Sequence, residues 1–222
     1  MSLKLIIFDF DGTLADTRKN IVTTMQQTMA ALDLPIRCEE QCVPTIGLPL
    51  AGCFRALFPD LPETKIAQCT EVYSRIFEEN LSKIKVQLFP HTTEVLQALC
   101  AKGLTLAIAS SRGHQSIADL LDNQGIGKYF TAIVGANDVQ RHKPDPEPAF
   151  KILQTTGYKA NEALMIGDMD VDIEMGRNAE MATCAVTWGN GTRNELRAVN
   201  PDFIVDNFRE ILDIANTLII NK

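Results

Sequence analysis

Two kinds of hydrophobic pattern divide this chain. Leu5-Ile6-Ile7-Phe8 is an apolar run cut short by Gly12, which predicts a buried strand ending in a turn. After Asp16 the spacing changes. Ile21, Val22, Met25, Met29, Ala30 and Leu32 recur at helical intervals until Pro35, and further helical runs cover 52–57 and 63–81, with Pro49, Pro59 and Pro62 at the joins. From Val86 onward, apolar runs alternate with helical segments. Strands are predicted at 104–109, 132–134, 163–166, 183–186 and 203–205, and helices at 92–101, 115–123, 147–156, 173–179 and 208–220. That alternation implies right-handed crossovers and a mostly parallel sheet whose strands are apolar throughout, because helices cover both faces. The first strand belongs to that sheet. The chain therefore reads as an α/β fold, residues 1–15 and 86–222, interrupted by an all-helical insertion at 16–85.

The first strand runs into two acids, Asp9 and Asp11, two residues apart. Two unit charges about 4 Å apart repel by about 4 kcal/mol at a near-surface dielectric, so acid gathered at a strand end calls for a cation or a chemical use. Gly12 is expected to leave both at the lip of the sheet rather than inside. An Asp-Gly turn capping a helix is one alternative. A calcium loop is another, but its twelfth position from Asp9 is Asn20 where a Glu is needed. Ligands of open α/β sheets bind beyond the carboxyl ends of the strands, and polar residues follow further strands here. Ser110-Ser111-Arg112 follow one and Gly167-Asp168-Met169-Asp170-Val171-Asp172 another, while Lys143 precedes a helix within His142-Lys143-Pro144. Singly, each has an ordinary explanation: Ser110 as a helix cap, Lys143 as a solvated lysine, the aspartates as partners of a helix N-terminus.

Taken together and in this order, they resemble a known family. Asp9-Phe10-Asp11-Gly12-Thr13-Leu14-Ala15-Asp16 resembles the first signature of the haloacid dehalogenase superfamily in its phosphatase branch. Ser110, Lys143 and Gly167-Asp168 resemble the other three. The resemblance implies a Rossmann-like, doubly wound core and covalent phosphoryl transfer. By it, Asp9 is the nucleophile, Asp11 the general acid/base, Ser110 a phosphoryl-oxygen donor and Lys143 the cation holding nucleophile and phosphate in register. It also implies Mg²⁺ held by Asp9, the main-chain carbonyl of Asp11, Asp168 and Asp172, a ligand set suited to that hard ion. Asp170 falls on a more variable position of the signature.

An acid at Asp11 argues against carbon–halogen hydrolysis. Thr13 and Gly167 stand where β-phosphoglucomutases typically carry Val and Glu, and Ala185-Val186-Thr187-Trp188-Gly189 looks most like phosphoglycolate phosphatases. The expectation is a phosphatase of small phosphorylated metabolites, with a phosphomutase or a pyrophosphatase as alternatives. A receiver-type phosphoacceptor module is the non-enzymatic alternative. Where relatives commonly have Asn-Ala-Gly-Met this chain has Asn178-Ala179-Glu180-Met181, a change expected to alter a turn and not the chemistry. The helical insertion is expected to be a mobile cap that closes over the phosphate and selects the leaving group. Candidate substrate-binding residues are Arg18, Arg55, Ser110, Ser111, Arg112 and Lys143.

Composition narrows this further. Apolar residues make up 45% of 222, enough for a sizeable core, and 21 basic against 28 acidic residues leave a net charge of −7. No basic footprint for nucleic acid appears, and no apolar run reaches the length of a membrane span. No signal-peptide pattern opens the chain, and the six cysteines include no CxxC pair. The three histidines lie far apart in sequence, so the cysteines read as small apolar residues of a cytoplasmic protein. Oligomeric state is left open.

Overall fold

In the computed structural model, which describes residues 2–81 and 83–220, strand β1 (Leu5–Phe8) lies at the centre of the main sheet, and all four of its residues are fully buried. The other strands are β2 (Ala15–Asp16), β3 (Gln87–Leu88), β4 (Thr105–Ala109), β5 (Phe130–Val134), β6 (Ala163–Gly167), β7 (Ala182–Val186) and β8 (Phe203–Val205). Six of them form a parallel sheet in the order β5-β4-β1-β6-β7-β8. Residues 1, 82, 221 and 222, which the two-part division of the chain includes, lie outside the described residues.

Alternation along each strand sends neighbours to opposite faces, and two hydrophobic cores result. Ile6, Phe8, Leu106, Ile108, Leu164 and Ile166 pack on one face; Leu5, Ile7, Ala107, Ala109 and Met165 pack on the other. Ten helices accompany the strands among the described residues: α1 (Arg18–Ala31), α2 (Glu39–Cys42), α3 (Leu50–Leu57), α4 (Glu63–Leu81), α5 (Thr92–Ala101), α6 (His114–Gln124), α7 (Glu147–Thr156), α8 (Asp170–Asn178), α9 (Arg193–Ala198) and α10 (Glu210–Ile220). The first core takes the apolar stripes of α5, α6 and α10 through Leu96, Leu120 and Ile211; the second takes α7 and α8 through Ile152 and Met175. The arrangement is a doubly wound α/β layer structure.

Helices α1 to α4 occupy the stretch between β2 and β3. Apolar spacing joins α3 to α4 through Phe54 and Tyr73, whose ring centroids are 6.2 Å apart, and Phe77 stacks on Tyr73. A buried polar contact ties α4 to α1: Asn80 Nδ2 donates to Thr24 Oγ1 at 2.9 Å and to Gln27 Oε1 at 2.7 Å. Strands β2 and β3 pair antiparallel, Ala15 opposite Leu88 and Asp16 opposite Gln87. Two residues each is too short for a period to show in the sequence, and among the described residues these are the strands that the hydrophobic pattern does not predict. Helix α8 starts earlier than the apolar spacing predicts, at Asp170 rather than 173, because its first turn is acidic and polar.

Glu180 lies just past α8 with φ +58°, while Met181 N donates to Gly176 O at 2.9 Å to close the helix end. A side chain in this left-handed conformation costs roughly 1–2 kcal/mol, which is why glycine favours such positions. Glu180→Gly is therefore expected to stabilise the fold by up to about 1 kcal/mol after the entropy of the added glycine is subtracted. Calorimetry would then show Tm higher by about 2–4 °C, and Glu180→Ala would show no such gain.

Candidate active site

Chain direction places the site. From β1 the chain crosses to β4 on one side, and from β6 to β7 on the other, while β1 and β6 themselves are neighbours with Phe8 opposite Ile166. The crevice beyond the carboxyl ends of these two strands is a topological switch point. Asp9 follows β1 and Asp168 follows β6, so both acids are delivered to that crevice. Asp9 N donates to Ile166 O at 2.9 Å, extending the pairing one residue past β1. Its side chain sits past the strand end, as the sequence expectation has it, but is buried there, with Lys143 bonded to it.

Four ionisable groups meet there. Lys143 Nζ donates to Asp9 Oδ1 at 2.9 Å and to Asp172 Oδ1 at 2.6 Å, and all three side chains are buried. Asp168, fully buried, accepts from Thr13 Oγ1 at 2.8 Å and from the main-chain N of Asn190 at 2.7 Å. Carboxylate oxygens of Asp9, Asp168 and Asp172 lie within 4.8 Å of one another. Asp172 belongs to the first turn of α8, and its Oδ2 accepts from Met169 N at 3.0 Å. Asp170, in the same turn, is exposed and stands outside the cluster.

Burial pushes the Asp9 carboxyl well above the usual carboxylate range; Lys143 opposes this, and the neighbouring acids add to it. Burial and then Asp172 push Asp168 up to about 7, against the hydrogen bonds from Asn190 and Thr13. Burial alone would lower Lys143, yet Asp172 and Asp9 raise it above its ordinary value, so it stays charged. Were all three acids ionised, one ammonium would leave negative charge uncompensated in a buried place, which is costly. Among the described residues Asp9 Oδ2 has no hydrogen-bond donor, so one oxygen of this carboxyl group remains available. This all-oxygen, acid-rich donor set fits a hard divalent cation.

Close approach explains the motif glycines. Gly12 has φ +85°, and a Cβ there would lie 2.2 Å from Asp168 Oδ2; a Cβ on Gly167 would lie 2.3 Å from the Cβ of Asp172. The chain must be bare at both points for the acids to converge.

Asp11 faces away from the triad's centre. Arg112 clasps it in a fork, Nη2 to Oδ1 at 2.7 Å and Nε to Oδ2 at 3.0 Å. The guanidinium also donates to Ser116 Oγ and stacks over the Phe77 ring of α4 at 4.5 Å. Ser110 is buried and its Oγ accepts from Arg112 N at 3.2 Å; Ser111 Oγ donates to Gly47 O at 2.5 Å. A cavity of about 450 Å³ opens between these core residues and the helical insertion, with Asp9, Asp11, Ser110, Ser111 and Arg112 in its wall. Cys53 also lines it, but burial pushes its thiol up to about 12, which leaves it unreactive.

Three proposed substrate contacts are not in the wall of this cavity: Lys143, which donates to the lining residue Asp9, and two arginines. Arg55 pairs with Glu63 on the surface, and Arg18 donates to Asn190 Oδ1 and to Gly189 O beside the Asp168 loop. Three contributors went unassigned in the sequence: the hydroxyl of Thr13, the main chain of Asn190, and Phe77. Asn190 was within reach, since it follows the end of β7 and the same strand-end argument applies there. Phe77 carried no signal, because a helix-face aromatic in α4 looks like any core residue.

Residues 6–186 match the family model described as haloacid dehalogenase-like hydrolase. The chain belongs to that family. It is 35% identical over 217 residues to the "Probable phosphatase IndB" of Dickeya dadantii, covering 97% of this chain and 94% of that protein. It is 32% identical to the pyrophosphatase PpaX of Oceanobacillus iheyensis, covering 97% and 98%. Among solved structures, a predicted phosphoglycolate phosphatase from Haemophilus somnus superposes with a TM-score of 0.89 at 26% identity, covering 96% of this chain and 98% of that one. A haloacid dehalogenase-like hydrolase is thus the setting in which the buried acids, Lys143 and Ser110 are to be interpreted. No helix of the described residues is long and apolar enough to cross a membrane.

Proposed function

We propose that this protein is a Mg²⁺-dependent phosphatase that hydrolyses a small phosphate monoester through an aspartyl phosphate on Asp9. The observation that carries this reading is the buried Lys143 bridging Asp9 and Asp172 with Asp168 beside them. Phosphoryl transfer needs little more than positioning and neutralisation of charge, and this arrangement offers both. Asp9, Asp168 and the Asp11 carbonyl would hold Mg²⁺ directly; Asp172, whose two oxygens already accept from Lys143 and Met169, would do so through water. Once bound, the ion supplies positive charge to the phosphoryl oxygens.

The chain's own groups account for the rest. The Asp9 carboxylate attacks phosphorus; its new O–P bond forms as the bond to the leaving oxygen breaks, and Asp11 gives that oxygen a proton. Asp11 then takes a proton from water as the water oxygen bonds to phosphorus and the acyl-phosphate O–P bond breaks. Inorganic phosphate leaves and Asp9 is restored. Ser110 and Lys143 steady the phosphoryl group throughout. Both oxygens of Asp11 are engaged by Arg112, and each keeps a second lone pair that can carry the proton while the fork stays closed.

Residues 16–85 are the cap over this core of 1–15 and 86–222, with the β2–β3 pair linking the two. A phosphomutase is disfavoured by Gly167, where a side chain would collide with Asp172. A receiver-type module has no need of a cavity of this size beside its acceptor aspartate. Free cysteines, four of them buried, support a cytoplasmic enzyme.

The test is phosphate release from a panel of monoesters with Mg²⁺ and with EDTA. Asp11→Asn is expected to lower kcat by about 10²–10⁴-fold, the usual share of general acid–base catalysis; unchanged turnover would remove Asp11 from the reaction. Metal affinity should follow the protonation of Asp168. A cation needs the carboxylate, so binding displaces the proton held in the metal-free protein, and affinity rises with pH. With Asp168 near 7, calorimetry is expected to show Mg²⁺ binding roughly tenfold tighter at about pH 8 than at about pH 6.

A further inference from the structure

We infer that the leaving group this enzyme accepts is uncharged and apolar, of about the size of an aromatic ring, and that a second anionic group on the substrate is selected against. The inference rests on the phosphatase reading and narrows it. Its basis is the part of the cavity beyond the phosphate position. There the insertion contributes Ile21, Met25, Leu50, Tyr73, Phe77 and Leu81, an apolar wall with two aromatic rings. At about 450 Å³ the cavity falls in the range of roughly 300–1,000 Å³ typical of sites that bury a drug-sized ligand. A two-carbon leaving group would leave most of that wall uncovered and wet, and would forgo the burial the wall offers.

Charge points the same way. Among the described residues lining the cavity, Arg112 is the one cation, and it is already committed to both oxygens of Asp11, to Ser116 and to the face of Phe77. The other charged lining residues are acids: Asp9 and Asp11 at the floor, Glu78 and Asp119 at the exposed rim. Asp119 accepts from Gln115 and has no cationic partner among the described residues of the wall. A carboxylate or second phosphate on the leaving group would enter a negative field with no free cation to meet it, and an unpaired charge in such a site is strongly disfavoured. A neutral ring meets no such penalty.

The experiment compares three substrates with Mg²⁺: benzyl phosphate, 2-phosphoglycolate and inorganic pyrophosphate. Benzyl phosphate and phosphoglycolate both release a primary alcohol, so the comparison reports recognition more than leaving-group chemistry. Benzyl phosphate is expected to show the higher kcat/KM by at least about tenfold, the scale of discrimination a shaped apolar pocket provides. The double variant Glu78→Gln, Asp119→Asn is expected to raise kcat/KM for phosphoglycolate several-fold through KM, with benzyl phosphate changed less than about twofold. Equal or better turnover of phosphoglycolate or pyrophosphate by the unmodified enzyme would overturn the inference and leave the phosphatase reading standing. Release of phosphate from none of the three would overturn both.

Discussion

Asp9→Asn is expected to lower Mg²⁺-dependent phosphate release by a factor on the order of 10⁶, as when the nucleophile is removed from a catalytic unit that works as a whole. The substitution changes one oxygen to an amide and keeps the shape of the side chain, so the effect reads chemistry rather than packing. No neighbour can substitute. Lys143 holds Asp172 through Oδ1, Met169 holds its Oδ2, and Asp168 is bonded to Thr13 and Asn190. Asp9 keeps an oxygen clear of such partners and faces the cavity. Acid quenching during turnover should leave the unmodified protein carrying one phosphoryl group by mass, and the variant none. Residual turnover within about a hundredfold of the unmodified enzyme, a loss no larger than acid–base help alone supplies, would mean that Asp9 is not the nucleophile.

Lys143→Met is expected to produce the largest loss of stability of any single change in the site. Removing one partner of a buried ion pair typically costs about 3–5 kcal/mol because the remaining charge is left without compensation. Here two carboxylates lose their donor at once. For a chain of this size that corresponds to a fall in Tm of roughly 6–20 °C in EDTA. The pH dependence has a definite sign. Burial already raises Asp9 and Asp168 in the folded state, and losing the ammonium raises them further. A carboxyl whose folded value lies above its unfolded one stabilises at low pH and loses that contribution as pH rises through the folded value. The deficit of the variant should therefore be smallest near about pH 5 and should grow toward about pH 8. Mg²⁺ is expected to restore part of it, since a ligand bound only by the folded state stabilises in proportion to its occupancy. An unchanged Tm in EDTA at the higher pH would show that the four groups do not form one electrostatic unit.

Both experiments depend on residues far apart in the chain, and the way they come together shows which features a linear reading captures. Apolar runs such as Leu5–Phe8 and Ala163–Gly167 were legible because a central parallel strand is covered on both faces and tolerates no polar residue. The same logic made the site legible in outline: beyond the strand ends the apolar requirement lapses, so acids there stand out against their surroundings. Glu180 was visible as an oddity, and its left-handed backbone supplies the reason.

Other features needed three dimensions. That Asp9 is buried and bonded to Lys143, more than a hundred residues later in the chain, is something no local pattern encodes. Arg18, Arg55 and Arg112 are alike in sequence as exposed-type cations. Only packing separates a surface partner of Glu63, a clasp on the Asn190 loop, and a fork on Asp11 beneath an aromatic ring. The alternation of apolar and polar positions thus determined the α/β architecture, the helical run after the first strand and the strand ends at which acids gather, since burial and strand periodicity act residue by residue. Tertiary structure alone decided which charges meet, because distance between side chains sets their interaction, and the sequence holds no record of that distance.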